Sequence, residues 1–199
     1  MCSSDLFGIN HLGHFALTGL LLERLRQTAG SRIVTVSSLN HRPGRIDFDD
    51  LQSTREYHRE RAYAQSKLAN LMFTFELQRR LGRTPTRPVD GDGGPTCALA
   101  AHPGFAKTEL NRSLSSATRV GYRPLLWLLG QGSRMGALPT LRAAVDPAAA
   151  GGDYYGPGGR FEAKGHPILV GTSDAARDSE AQQRLWQESE RLTGVAYPL

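Results

Sequence analysis

Two hydroxyls, a phenol and an ammonium stand in an order that could move a proton to and from a small organic substrate. Ser37 and Ser38 close a β-branched run, "RIVTVSS"; 25 positions after Ser38 comes Tyr63, which precedes Lys67 by four in "YAQSK". Four residues are about one helical turn, so the two side chains project from one face. At about 5 Å and an effective dielectric of about 20, an ammonium stabilises a phenolate by about 3 kcal/mol, or about two pKa units, bringing a tyrosine from about 10 toward 8. Such a phenol exchanges a proton with an alcohol or a carbonyl near neutral pH. A serine hydroxyl at a strand end can hydrogen-bond the same substrate oxygen. By itself a tyrosine four before a lysine usually marks a surface pair. What singles this pair out is the order of a strand-end serine, then Tyr-x-x-x-Lys opening a helix, then Pro103-Gly104 after the next strand.

The elements that must hold these groups follow from hydrophobic period. Ile9, Leu12, Phe15, Ala16, Gly19, Leu20 and Leu22 recur at helical spacing ahead of Gly30, so residues 9–27 are expected to be a helix, apolar on more than one face. Residues 32–38 lack polar alternation and suit a strand buried in a parallel sheet. Residues 40–61 read as a polar surface excursion with one turn of helix. Residues 63–81 form a second long helix with Leu68, Leu71, Met72, Phe75 and Leu77 inward. The Gly/Pro/Asp-rich stretch 82–95 is a loop, and 96–101, "TCALAA", a second buried strand cut off by His102, Pro103 and Gly104. Residues 123–130 and 133–145 read as a helical pair, 153–155 as a short strand and 175–192 as a charged amphipathic helix with Trp186 in the core. Alternating strands and helices mean an α/β protein around a parallel sheet, with its site beyond the carboxyl ends of the strands.

Bulk properties narrow the function classes. At 199 residues with 39% hydrophobic and 22% charged residues, one globular domain is expected, and the longest apolar run, 125–129, is far too short for a membrane span. The net charge is +5, but 21 of the 24 basic residues are arginine, and the clusters at 55–61 and 79–87 lie near or among acidic residues such as Asp47, Asp49, Asp50, Glu56 and Glu60. That reads as solvated surface, not as a nucleic-acid face. Cys2 and Cys97 make no disulfide framework and no signal peptide opens the chain, so a reducing, cytoplasmic compartment is expected. Cys-Ser-Ser-Asp-Leu is also what a sequencing adapter encodes in one frame; residues 1–6 are therefore expected to be a non-native leader and 7–199 the catalytic part of a single domain. His11 and His14 are three apart on a helix without a third ligand, so no metal site is expected. Gly130, Gly132 and Gly136 miss the G-x-G-x-x-G spacing by one and are not expected to bind a dinucleotide.

From residue 7 onward the sequence resembles the short-chain dehydrogenase/reductase family. "VSSLNH" resembles its serine motif, "YAQSK" its Tyr-x-x-x-Lys motif, "HPGFAKT" its Pro-Gly-to-Thr motif, and Asn10 in "INHLG" its helix asparagine. The wide gap between Ser38 and Tyr63, with the insert "HRPGRIDFDDLQ", resembles the retinol-dehydrogenase-like branch, with protochlorophyllide reductases as neighbours.

The resemblance implies a Rossmann-type, doubly wound sheet and an oxidoreductase that interconverts an alcohol and a carbonyl using NADP or NAD, with NADP the slightly favoured form. It implies that Tyr63 is the acid/base, that Ser38 rather than Ser37 polarises the substrate oxygen, and that Lys67 lowers the tyrosine pKa and holds the nicotinamide ribose. Asn10 would anchor a water in a proton relay. Pro103, Gly104, Phe105 and Thr108 would flank the nicotinamide and its carboxamide. "PLLWLL" at 124–129 reads equally as a lid over an apolar alcohol or aldehyde and as packing. The helices 9–27 and 63–81 are those used in the family for homo-oligomer contacts. The family's glycine-rich turn, expected ahead of the Asn10 helix, has no counterpart here, so the chain is expected to be the C-terminal part of the fold without its glycine-rich half. By itself it should expose an edge strand, dissolve poorly and fail to bind the dinucleotide. A non-catalytic binding or scaffold protein of the same fold, and one half of a complex completed by another polypeptide, are the alternative readings.

Overall fold

A computed structural model describes residues 6–82, 95–105 and 130–199. Residues 1–5 of the expected leader, most of the expected loop 82–95, Thr108, and the expected helix at 123–130 with its "PLLWLL" segment, apart from Gly130, lie outside the described residues.

A π-helical turn, Gly8–Leu12, runs into α1, Gly13–Arg26. The buried stripe here is Phe7, His11, Phe15 and Leu22, while Ile9, Leu17, Leu20 and Leu21 are exposed. Periodicity makes the helix apolar on more than one face, and the structure covers the face that meets α2 and the C-terminal segment. β1, Arg32–Val36, follows, two residues shorter than the apolar run that predicts it. It pairs in parallel with β2, Cys97–Ala101, in a register that sets Val36 beside Ala101. β2 pairs in parallel with β3, Tyr154–Pro157, and β3 pairs antiparallel with β4, Pro167–Leu169. The order is β1-β2-β3-β4, with β1 and β4 at the edges among the described residues.

Helices cover both faces of this sheet, the doubly wound arrangement of an α/β fold. Along β2 the side chains alternate: Ala98 and Ala100 join cores with α2, Arg59–Leu81, while Leu99 and Ala101 join Ala143 of α3, Ser133–Val145, and Tyr155. β2 is thereby buried on both faces, as a continuous apolar strand predicts. α2 starts four residues before Tyr63, with a polar first turn, and is buried over most of its circumference between Ala62 and Leu77. Even Glu76 is fully buried, held by Arg79 at 2.8 Å and Arg80 at 2.7 Å.

The helix expected at 175–192 is two helices, α4, Asp174–Arg177, and α5, Ser179–Thr193. Asp178 breaks them because its carboxylate accepts the Glu180 and Ala181 N–H groups and caps α5. Trp186 is core as expected, with ring centroids 5.1 Å from Phe15 and 4.5 Å from Tyr197. The Tyr197 hydroxyl donates to Phe15 O at 2.6 Å, tying the C-terminal segment to α1.

Candidate functional site

The register of β1 with β2 puts two turns side by side at one end of the sheet: Ser37-Ser38 after Val36, and His102-Pro103-Gly104 after Ala101. α2 packs against the first of them. The Val36 carbonyl accepts from Lys67 Nζ at 3.3 Å and from Asn70 Nδ2 at 3.2 Å, so one strand-end oxygen fixes two α2 side chains three residues apart. In return Ser37 Oγ donates to Lys67 O at 2.8 Å. Lys67 Nζ stands 5.7 Å from the centroid of the Tyr63 ring, and burial lowers its pKa below the ordinary lysine value.

The two serines differ in what their hydroxyls are free to do. Ser37 is buried and its hydrogen is committed to the Lys67 carbonyl. Ser38 is partly exposed and extended, and its Oγ accepts the Asn40 N–H at 3.2 Å, capping the 3-10 turn Leu39–His41. Its own hydrogen is left to donate outward. Asn10 joins the group through Ser66: Asn10 Nδ2 donates to Ser66 Oγ at 3.1 Å, and Ser66 Oγ donates to Tyr63 O at 2.8 Å. Tyr63, Lys67 and Asn10 are thus linked through the second and third turns of α2 to the end of β1, and Ser38 follows Val36 by two residues, with no hydrogen bond among the described residues joining its side chain to theirs.

Pro103, Gly104 and Phe105 form the neighbouring turn. Gly104 has φ 65°, and a Cβ there would stand 2.5 Å from Ala163 O, so the turn requires glycine on both counts. Phe105 is exposed, its N–H donating to Ala163 O at 2.8 Å, and Gln131 Nε2 donates to Pro103 O at 2.8 Å.

Sequence reasoning places His102 as a strand-end residue near the cofactor, but does not single out Tyr154 or His41. The Tyr154 ring lies between the imidazoles of His41 and His102, with centroids 5.7 and 5.2 Å away. His41 Nδ1 donates to Ser38 O at 2.7 Å, and His41 Nε2 accepts the Ser173 N–H at 3.3 Å, which anchors the serine turn to the segment leading into α4. Burial lowers the pKa of both imidazoles, that of His102 to about 4, with Glu162 opposing in each case, and burial raises that of the Tyr154 phenol. β3 must carry a glycine where the His102 ring crosses it: a Cβ on Gly156 would meet His102 Nε2 at 2.0 Å. Gly156→Ala is accordingly expected to destabilise the fold by about 1–3 kcal/mol, read as a lower urea midpoint at unchanged m-value.

His11 is not at this site. It is buried, its Nε2 2.9 Å from Ser189 Oγ on α5, and among the described residues no group of three or more metal-ligating side chains occurs. A cavity of about 800 Å³ lies beneath the insert, lined by residues such as Arg45, Asp50, Arg55, Arg61 and Gln65, but by none of Ser38, Tyr63 or Lys67. Its walls carry both signs of charge, whereas sites for small organic ligands are mostly apolar, so the strand-end cluster is the better candidate.

The donor set fits one end of a nicotinamide cofactor. A phenol, an ammonium and a serine hydroxyl supply donors for ribose hydroxyls and for a substrate oxygen. None of these groups is a phosphate cradle.

No family model matches the chain. It is 42% identical to human retinol dehydrogenase 13 over 201 residues, which cover 96% of the chain and 54% of that relative. It is 42% identical to mouse polyprenol dehydrogenase over 195 residues, 94% of the chain and 53% of the relative. The chain therefore spans about half the length of the curated relatives it matches. The crystal structure of an uncharacterized protein from Mycobacterium paratuberculosis superposes with a TM-score of 0.71 at 43% identity, covering 97% of the chain and 60% of that protein.

Proposed function

The chain belongs to the short-chain dehydrogenase/reductase family with these retinol and polyprenol dehydrogenases, and from that premise we propose that the whole protein interconverts an alcohol and its carbonyl. The observation that carries the reading is the linkage of the β1 end to α2, where Val36 O, two residues before the capping Ser38, holds Lys67 one helical turn from Tyr63.

In the direction of carbonyl reduction, Ser38 donates its free hydrogen to the substrate oxygen and Tyr63 delivers a proton to the same atom; in oxidation Tyr63 receives it. The Lys67 ammonium stabilises the phenolate left behind and holds the ribose hydroxyls. Asn10, linked through Ser66 to the α2 backbone beneath Tyr63, keeps the entrance of the relay in register. Pro103, Gly104 and Phe105 form the wall for the nicotinamide ring; Thr108 is assigned to its carboxamide by the motif alone. Bound NADP or NAD would supply the hydride. The relatives' names, retinol and polyprenol, point to an apolar alcohol as substrate. Oligomerisation through α1, whose outer face leaves Leu17, Leu20 and Leu21 open, belongs to the same reading.

Titration of the whole protein with NADPH and with NADH, followed by reduced-cofactor fluorescence, is expected to show micromolar binding of at least one, and oxidation of the bound cofactor by an apolar aldehyde. Absence of binding to either would remove the dehydrogenase reading in favour of a scaffold role.

A further inference from the structure

Building on the dehydrogenase reading, we infer that Glu162 is a positioning residue: its carboxylate clamps the Pro103-Gly104 turn to the serine-bearing turn by holding His102 on one oxygen and Arg42 on the other. The two turns come from different strands; the Ser37 N–H donates to Ala101 O at 2.8 Å where they begin, but no backbone hydrogen bond among the described residues reaches from Ser38 to Pro103 or Gly104. Glu162 adds a tie further along the two turns, from a third segment. Its Oε1 accepts from Arg42 Nη2 at 2.5 Å, and Arg42 is the residue that closes the 3-10 turn capped by Ser38. Its Oε2 stands 3.0 Å from His102 Nε2, and His102 Nδ1 is 3.2 Å from the Gly104 N–H.

The chemistry of this chain of contacts is directional. A carboxylate only accepts, so His102 Nε2 carries the hydrogen, and the lone pair is left on Nδ1 to receive the Gly104 N–H. Glu162 thereby chooses the tautomer that pins the turn. The alternative tautomer would set an N–H against the Gly104 N–H and push the turn off its neighbour.

The backbone around Glu162 is arranged for this contact against local preference. Phe161 and Glu162 stand at φ 57° and 52°, left-handed positions that residues other than glycine seldom take. The result puts the Phe161 ring in solvent, 69% exposed, and turns the carboxylate inward to a fully buried imidazole. Exposure of the phenylalanine and burial of the contact with the acid invert the usual polarity, the kind of arrangement that strained segments keep at functional sites. The same segment grips the turn again: Phe105 N–H donates to Ala163 O, and Gly165 N–H donates to Gln131 Oε1, whose amide nitrogen holds Pro103 O. An ion pair with the half-exposed Arg42 adds little stability by itself, so the consequence of losing Glu162 should appear in the placement of the turn.

The test combines a spectroscopic and a kinetic arm on the whole protein, wild type, Glu162→Ala and Glu162→Gln. Long-range ¹H–¹⁵N spectra of the imidazoles should show His102 as a single Nε2–H tautomer in the wild type and in E162Q, whose amide oxygen still accepts, and as a tautomer mixture in E162A. The KM for the nicotinamide cofactor should rise about tenfold in E162A with a smaller fall in kcat, and about two- to threefold in E162Q, a rescue that a purely bulk-structural role would not produce. A His102 tautomer unchanged in E162A, or equal kinetic losses in the two variants, would overturn the inference. If E162A does not fold, E162Q decides, and a cofactor KM equal to wild type overturns the role. A wild type that binds no cofactor removes the dehydrogenase reading and this role together, whereas a wild type that binds beside an unaltered E162A removes this role alone.

Discussion

Tyr63→Phe is expected to lower kcat for alcohol oxidation and carbonyl reduction by about a thousandfold or more, the upper part of the range that positioned acid/base groups contribute, while cofactor affinity changes by only a few-fold. The substitution removes one oxygen. The ring that packs 5.7 Å from Lys67 Nζ remains, as do the Ser66 bond to the residue-63 carbonyl and the Asn10 bond to Ser66, because neither uses the phenol. Lys67 is held independently by Val36 O, so the ammonium that would grip the ribose stays where it is. Loss of turnover with retained binding therefore reports the proton and not the scaffold. Single-turnover absorbance at the reduced-nicotinamide band, with binding measured separately by fluorescence, separates the two terms. Residual turnover above about a tenth of wild type would transfer the proton role to another group, since an ordinary hydrogen bond is worth about one power of ten at most.

The residues of that experiment were legible because their signals are local. A four-residue spacing fixes Tyr63 and Lys67 on one face wherever the helix begins, so reading α2 from Tyr63 when it starts at Arg59 did no harm; the added turn is too polar to leave an apolar period. β2 was equally plain, since a strand buried on both faces is written as an unbroken apolar run. What was hidden depends on segments distant in the chain. His41 reaches Ser173 across 132 positions and His102 reaches Glu162 across 60, and neither partner has a pattern that announces it. Glu162 faces inward only because two consecutive residues adopt positive φ, which composition does not foretell. β4 escaped because three residues beginning at Pro167 carry no alternation and are mostly exposed. The covered face of α1 was open for a related reason: helical period shows apolar residues on more than one face but cannot say which face has a neighbour, and here His11 is covered while Leu20 is not.

Those buried imidazoles make the fold acid-sensitive in a window where its carboxylates do not. Burial is the main cause that holds His11 at about 3 and His102 at about 4, against a usual value of 6.5, and it lowers His41 as well; Asn70 for His11 and Glu162 for His102 oppose it without prevailing. A folded value below the unfolded one means that the native imidazole stays neutral while the unfolded chain takes up a proton. Their contribution to stability is complete above pH 6.5 and is lost as pH falls from there toward about 4 and 3. Each imidazole contributes a slope of about 1.4 kcal/mol per pH unit within its window, so His11 and His102 together approach about 3 kcal/mol per unit between pH 6 and 4.5. The loss reaches about 5 kcal/mol by pH 4.5, which brings a domain at the lower end of the ordinary range of about 5–15 kcal/mol close to unfolding. The carboxylates of Asp50, Glu56 and Asp146, held below their usual values by hydrogen bonds, lose their contributions only at lower pH and cannot produce this slope. Urea midpoints at pH 7, 6, 5 and 4.5 should fall steeply, and His11→Gln, which cannot titrate, should show about half the slope whatever its stability at pH 7. Midpoints level from pH 7 to 5 would mean that water or a counter-charge reaches these rings and that the packing around Tyr154 and Phe15 is looser than the structure has it.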